Sequence, residues 1–495
     1  MSSNIGNVTY PDTVPGQGNL VFEASFESGN LGRVDKVSCS EYDLFIRPDT
    51  LNNKYRVWFY FECKNATENQ RIIFNIVNFS KQRTLFEMGI AAPVVKSNAQ
   101  NSWARIPSRH IYYYRSSQHN DRWILSFAFI FESPDPVQFA YCIPYTYGQM
   151  QAWLNQLEAR KYIFFHRDLL AHTVQKRRID LITIDGSPET FQGSKKMIFL
   201  TARVHPGESP SSHVMHGIIE FLVSNDDRAQ KLRKVYCFKI IPMLNPDGVY
   251  LGNYRRVQTV LCSLMGYDLN RMWRNPSEWA HPSIYAVKNL LTQYDNNPQA
   301  QTVIYVDLHA HSQKPNCFLY GNVSMTAVSF FFRKQKKFYD FRWKKSQHLV
   351  NCGFLIYSQI SLKIIRLNSL NSIRILRKQA LEEGIQVKNH IKILENSRTM
   401  GELLSCLCYT LEVSFFSYRH VDSSGNGIQH TTPYLQYKYE ALGEAFCRAL
   451  LNFYEADCGL REVILERPFK SFLPARAQKS LKKQARKVIQ TVMMK

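Results

Sequence analysis

Lys196-Met197-Ile198-Phe199-Leu200-Thr201-Ala202-Arg203-Val204-His205-Pro206-Gly207-Glu208 is the stretch that decides the fold. Residues 196–204 read as a buried strand that ends in a Pro-Gly turn. Ser211 to Val223 then carries Val214, Ile218, Phe221 and Leu222 at helical spacing. Outward from this unit the alternation repeats. Val235 to Leu244 reads as a strand, Pro282 to Tyr294 as a helix and Thr302 to Leu308 as a third strand, with an amphipathic helix at Gln149 to Arg160 upstream. Strands alternating with helices predict an α/β domain with a mixed, mostly parallel sheet flanked by helices. Ligands in such sheets sit at the carboxyl ends of strands, and the polar clusters of this sequence fall there.

Residues 20 to about 145 have a different texture. Val57-Trp58-Phe59-Tyr60-Phe61 and Ile124 to Phe131 are aromatic and β-branched runs separated by polar turns such as Lys64 to Asn69. With no helical period between them, they predict an antiparallel β-sandwich. Tyr112-Tyr113-Tyr114-Arg115 is expected to form a packed sheet face. The predicted organisation is a flexible N-terminus (1–19), a β-sandwich (20–147), an α/β domain (148–455) and a basic C-terminal tail (456–495).

Composition narrows the function. The 495 residues are 45% hydrophobic and 21% charged, and no run of about 20 apolar residues would span a bilayer. The first residues lack the basic and apolar regions of a secretory signal, and the 11 Cys are scattered, so an intracellular, reduced protein is expected. The formal net charge is +22. Residues 325–381 hold twelve Lys/Arg against one acid, and 467–495 hold nine against none, so the rest of the chain is near neutral. That distribution argues against a nucleic-acid-binding face built into the fold and suits attraction to an acidic partner.

The chemistry concentrates at strand ends. His205 and Glu208 flank the Pro-Gly turn, and Asp307-Leu308-His309-Ala310-His311-Ser312 brings a second imidazole from the third strand. Two His and one Glu form the open ligand set of a catalytic zinc, with the fourth position left for water. Asn245-Pro246-Asp247-Gly248 is expected to be a turn after the second strand. It is followed by Gly252-Asn253-Tyr254-Arg255 and by Asp268-Leu269-Asn270-Arg271, where an arginine fork beside an Asn suits a carboxylate. Glu412, alone in the apolar run Tyr409-Thr410-Leu411-Glu412-Val413, is costly to bury unless paired or functional, and beside a metal-activated water it would be the general base. His311 is expected to be supporting or structural rather than a ligand.

In this order HPGE, NPDGV, GNYR, DLNR, DLHAHS and YTLEVSF resemble the zinc carboxypeptidases, and within them the cytosolic carboxypeptidases. FESGNLGRVDKV, WFYFECKN, YYYRS and FAYCIPYTY extend the resemblance through the N-terminal region. It covers roughly residues 20–320 and 398–455. The resemblance implies one zinc per chain on His205, Glu208 and His309, with Glu412 as the base. It further implies Asn270 and Arg271 at the substrate's terminal carboxylate, Arg255 at the scissile carbonyl, and Asp268 orienting His205. The implied activity is removal of C-terminal glutamates from proteins, with glutamylated tubulin tails as the substrate type, in the cytoplasm and at the cytoskeleton, centriole or cilium. No membrane and no specific nucleic acid is expected as a partner. No GxxxxGK[ST] loop is present, so the sequence offers no phosphate cradle for a nucleotide.

The sequence departs from the family twice. Residues 256–261 look inserted between Arg255 and Asn270. Residues 324–397 form an atypical basic insertion or replacement where the family helps to shape the pocket for the acidic side chain, leaving Arg398 as the candidate remnant. A catalytically impaired relative that binds acidic, glutamylated tails is therefore the alternative expectation.

Overall fold

The computed structural model describes residues 16, 18–50, 55–80, 86, 91–97, 101–186, 195–254, 268–321, 404, 406–421 and 429–466. The chain divides into two units, residues 1–450 and 451–495. Among the described residues no helix is long and apolar enough to cross a membrane.

The N-terminal strands are β1 (Val21–Glu23), β2 (Arg33–Ser38), β3 (Glu41–Phe45), β4 (Tyr60–Lys64), β5 (Gln70–Ile76), β6 (Val94–Ser97), β7 (Ala104–Arg105), β8 (Ile111–Ser116), β9 (Arg122–Phe131) and β10 (Val137–Ala140). They form two five-stranded sheets, ordered β1-β4-β10-β6-β7 and β2-β3-β5-β9-β8. Period-two alternation explains the packing: Ile72, Phe74 and Ile76 of β5 point inward while Ile73 is exposed. The core is aromatic, with Phe61 on Phe139 at 5.5 Å and Phe74 on Phe127 at 5.4 Å between ring centroids. Each fully buried Phe contributes roughly 1.5–3 kcal/mol. One pair departs from the antiparallel expectation among the described residues. β3 and β5 run parallel, because the chain between them crosses to the other sheet as β4 and returns in the same direction. Of the Tyr112–Arg115 run on edge strand β8 only Tyr113 packs, stacked on Trp123 at 4.9 Å, while Tyr112 and Tyr114 face solvent. The packed face expected of Tyr112–Arg115 is therefore limited to alternate residues.

The α/β domain opens with α1 (Tyr147–Ala159). Thr146 and Gln149 form a reciprocal capping box at its start, and Met150, Leu154 and Leu157 are its buried stripe. There follow β11 (Phe165–His172), β12 (Arg178–Ile184), β13 (Lys195–Ala202), α2 (Ser209–Val223), α3 (Asp227–Val235), β14 (Tyr236–Ile241), α4 (Pro246–Tyr250), α5 (Pro282–Asp295), β15 (Ala300–His311), β16 (Cys317–Gly321), β17 (Leu407–Ser414), the hairpin β18 (Ser417–Val421) and β19 (Gln429–Pro433), and α6 (Gln436–Glu466). The seven-stranded sheet is ordered β11-β12-β14-β13-β15-β17-β16. Its four central strands, β14, β13, β15 and β17, are parallel, and antiparallel strands close both margins.

On one face Ile284, Val287 and Leu291 of α5 pack with Met197, Phe199, Tyr305 and Cys408. α2 packs across β13, β15 and β17 and presses closely on the start of α6. A Cβ on Gly217 would lie 2.1 Å from the Glu440 carbonyl oxygen, and one on Gly443 would lie 2.3 Å from that of Val214. Two details differ from the sequence reading. Asn245–Gly248 is no simple turn: Asn245 caps a short helix, its side chain accepting from Gly248 N at 3.0 Å. α6 continues to Glu466, beyond the limit of 455 expected for the α/β domain.

Candidate metal centre

The loop after β13 turns sharply, with Glu208 N donating to His205 O at 3.2 Å. Gly207 is required in it, because a Cβ there would lie 2.5 Å from the Tyr254 ring and 2.7 Å from its Cα. Gly207 N also donates to Tyr254 O at 2.8 Å. Arg203, fully buried with φ 60°, fastens the loop from beneath. Its guanidinium donates to Pro206 O (2.7 Å), Ser212 Oγ (2.9 Å) and Tyr145 O (3.1 Å). Burial pushes this guanidinium down to about 9, with the Glu208 charge opposing, so it stays cationic at neutral pH.

β15 supplies the other half. Alternation places Tyr305, Asp307, His309 and His311 on one face. The strand runs to His311, so both histidines lie within it rather than after it. β17 runs parallel beside it, with Asp307 opposite Thr410 and His309 opposite Glu412. Neighbouring strands lie about 4.8 Å apart, so Glu412 stands beside His309 on the same face.

Three side chains converge. His205 Nδ1 lies 3.0 Å from Glu208 Oε1, His309 Nδ1 lies 3.0 Å from Glu208 Oε2, and the two Nδ1 atoms are 3.1 Å apart. All three residues are at most 1% exposed. Each imidazole meets a second carboxylate on its far side: His205 Nε2 faces Asp268 Oδ1 at 3.3 Å, and His309 Nε2 faces Asp307 Oδ2 at 2.7 Å. An ionised carboxylate only accepts, so Nε2 must carry the hydrogen on both rings. Both Nδ1 lone pairs then point at one another and at Glu208, an arrangement that demands a cation at its centre. Two imidazole nitrogens and one carboxylate fit zinc, and the outer carboxylates fix the tautomer and raise ligand basicity. Thr201 Oγ1 in turn donates to Asp307 Oδ1 at 2.7 Å, and Ala310 N to Glu208 Oε2 at 2.9 Å.

Asp268 has a second task. Its Oδ1 accepts from Asn270 N at 2.9 Å and caps the 3₁₀ turn Leu269–Arg271. The turn that carries Asn270 and Arg271 is thereby tied to His205. Trp273 Nε1 donates to Asn270 Oδ1 at 3.0 Å. An indole N–H can only donate, so the amide orientation is set, with the Asn270 NH₂ on the side away from Trp273. Arg271 Nε lies 4.0 Å from Asp268 Oδ2, with the side chain one-third exposed. A buried amide beside a partly exposed arginine suits a carboxylate arriving from solvent.

Proton competition follows from this geometry. Burial alone draws the proton affinity of His309 down, but the Asp307 and Glu208 carboxylates more than reverse it and hold the imidazole well above the ordinary histidine range. In metal-free protein a proton therefore substitutes for the cation and must leave before zinc binds. Apparent zinc affinity should fall as pH falls, by about tenfold per pH unit for each proton displaced. Chelator competition between pH 6 and 8 measures it. A pH-independent constant would contradict the arrangement.

The structure thus brings His205, Glu208, His309, Asp268, Asn270, Arg271 and Glu412 to one end of the sheet. Arg255 and Arg398 lie outside the described residues. His311 packs on Phe318, ring centroids 4.8 Å apart, and is not among the converging ligands. Sequence reasoning overlooked Asp307, Trp273, Thr201 and Arg203. For Asp307 the signal was available, since a residue two before a histidine on a strand shares its face.

Comparison with known proteins agrees. Residues 22–142 match the cytosolic carboxypeptidase N-terminal domain, and residues 150–346 match the zinc carboxypeptidase family. The chain is 80% identical to cytosolic carboxypeptidase 6 of Caenorhabditis elegans, over 99% of both chains. It is 42% identical to cytosolic carboxypeptidase 6 of Homo sapiens, over 92% of this chain and 82% of the relative. A metallo-carboxypeptidase from Burkholderia cenocepacia shares the fold, with a TM-score of 0.60 at 22% identity over 88% of this chain and 99% of that one. With a matching N-terminal domain, a matching peptidase domain and a buried His-Glu-His ligand set, the chain belongs to the zinc carboxypeptidases, in their cytosolic carboxypeptidase group, and is a metallocarboxypeptidase.

Proposed function

We propose that this metallocarboxypeptidase removes glutamate from acidic protein C-termini, glutamylated tubulin tails among them, in the cytoplasm. The observation that carries the peptidase chemistry is the placement of Glu412 beside His309, on the same sheet face as the His205–Glu208–His309 cluster. Asn270 and Arg271 hold the substrate's terminal carboxylate and so restrict cleavage to the last residue. Glu412, 5% exposed, takes a proton from the attacking water and returns it to the departing amine. Zinc, when bound, supplies Lewis-acid polarisation of the scissile carbonyl. Arg255, by resemblance, stabilises the charge that develops on the carbonyl oxygen.

The acidic substrate class is supported by the net charge of +22, which attracts anionic tails, and by the resemblance to the cytosolic carboxypeptidases. Arg398 or the basic residues of 324–397 would meet the glutamate side chain. Turnover on peptides identical except for the last residue tests the reading. Glutamate should be released with kcat/KM at least about tenfold above lysine or leucine, equivalent to about 1.4 kcal/mol. A preference for either of the other two would overturn the proposed specificity while leaving the peptidase assignment in place.

A further inference from the structure

Two loops of the β-sandwich grip the end of α4 and the segment that follows it. Ser28 N donates to Tyr250 O at 2.9 Å and Ser28 Oγ to Val249 O at 2.7 Å. Gly252, with φ +72°, passes so close that a Cβ would lie 2.7 Å from Gly29 O. From the second loop Thr50 N and Thr50 Oγ1 donate to Asn253 Oδ1 at 3.0 and 3.1 Å, and Asp49 Oδ1 accepts from Tyr254 N at 2.7 Å. Asp49, Asn253 and Tyr254 are all buried. Tyr254 O is the acceptor for Gly207 N, in the turn between His205 and Glu208. One residue is therefore clamped between a carboxylate of the N-terminal domain and the turn that carries two converging ligands.

We propose that Asp49 is a positioning residue for the metal centre, holding the His205–Glu208 turn in its binding geometry through the backbone of Tyr254. The N-terminal domain is then part of the catalytic apparatus. A charge-assisted hydrogen bond to a buried amide is short and directional, and the turn on the other side of Tyr254 has little slack, because Gly207 N is bonded to Tyr254 O at 2.8 Å and even a Cβ on Gly207 would lie 2.5 Å from the Tyr254 ring. A displacement of a few tenths of an ångström at Tyr254 must reach Glu208. The inference rests on the metal-site reading but not on any substrate.

The test is zinc affinity, measured by chelator competition on the full chain, together with the melting temperature of the metal-free protein. Asp49→Ala should weaken zinc binding by about tenfold or more, and Asp49→Asn, which keeps an acceptor oxygen, should restore it to within about threefold of wild type. Asn75→Ala serves as the control. Asn75 is an equally buried sandwich residue bonded to Glu41, Asp43 and Ser126, away from the junction. It should lower the melting temperature without moving the zinc constant. Should Asp49→Ala fail to fold, Thr50→Val removes one of the two bonds to Asn253 and should weaken zinc roughly two- to fivefold. A wild-type zinc constant in Asp49→Ala, or in Thr50→Val where Asp49→Ala does not fold, would overturn the proposal. Loss of zinc from the Asn75→Ala control would overturn it too, by showing that any damage to the sandwich reaches the site.

Discussion

Glu412→Gln should retain zinc and fold like wild type, yet lower kcat by about 10²–10⁴-fold. The substitution keeps the volume and the capacity to hydrogen-bond and removes only the proton acceptor. Glu412 lies within β17, buried at 5% exposure and opposite His309, so it belongs to the sheet rather than to a mobile loop. An ionised carboxylate in such a strand costs several kcal/mol unless its surroundings compensate. Tyr320, on the neighbouring strand, feels it: burial and then the Glu412 charge both raise its hydroxyl above the ordinary tyrosine range. The chemistry assigned to Glu412 gives a reason for a carboxylate at this position. Near-normal turnover in Glu412→Gln would remove that assignment. The readout is kcat at saturating zinc, with metal content and melting temperature measured on the same sample.

The second large effect is loss of the metal. His205→Ala with Glu208→Ala removes two of the three converging donors and leaves His309 with Asp307 alone. Wild-type protein should carry close to one zinc per chain, and the double variant should carry none after dialysis. Thermal unfolding gives an independent reading. A ligand that binds only the folded state at about 1,000 times its dissociation constant stabilises it by about 4 kcal/mol, so zinc should raise the wild-type melting temperature by several degrees. The double variant should melt at one temperature with or without zinc. Stoichiometric zinc in that variant would place the ligands elsewhere.

Much of this site is legible in the sequence, for definite physical reasons. A buried strand with period two makes the side of His309 and the cost of Glu412 readable directly, and the Pro-Gly pair announces that His205 and Glu208 face the same way. The helical spacing of Val214, Ile218 and Leu222 placed α2, although the helix begins two residues earlier, at Ser209, with Pro210 in its first turn. What the sequence did not yield depends on contacts between distant segments. The Trp273 indole that orients Asn270, the Arg203 guanidinium under the turn and the Asp49–Tyr254 clamp each join residues with no local pattern in common. The parallel pairing of β3 with β5 and the antiparallel margins of the main sheet are likewise tertiary choices, which local alternation leaves open. Asn245–Gly248 carries the residues of a turn and of a helix start alike, and Asn245 capping decided for the helix. Arg255, Arg398 and residues 324–397, the segment expected to be an atypical insertion or replacement, lie outside the described residues.

The position of the cation is the decisive observable. Crystals of the wild-type chain grown with zinc, with data collected on both sides of the zinc absorption edge, locate it without reference to activity. One anomalous peak enclosed by His205 Nδ1, His309 Nδ1 and the Glu208 carboxylate, and absent from the His205→Ala, Glu208→Ala variant, is the predicted result. A fully occupied zinc held by other residues, or bound through Nε2 of either histidine with Asp268 or Asp307 displaced, would contradict it.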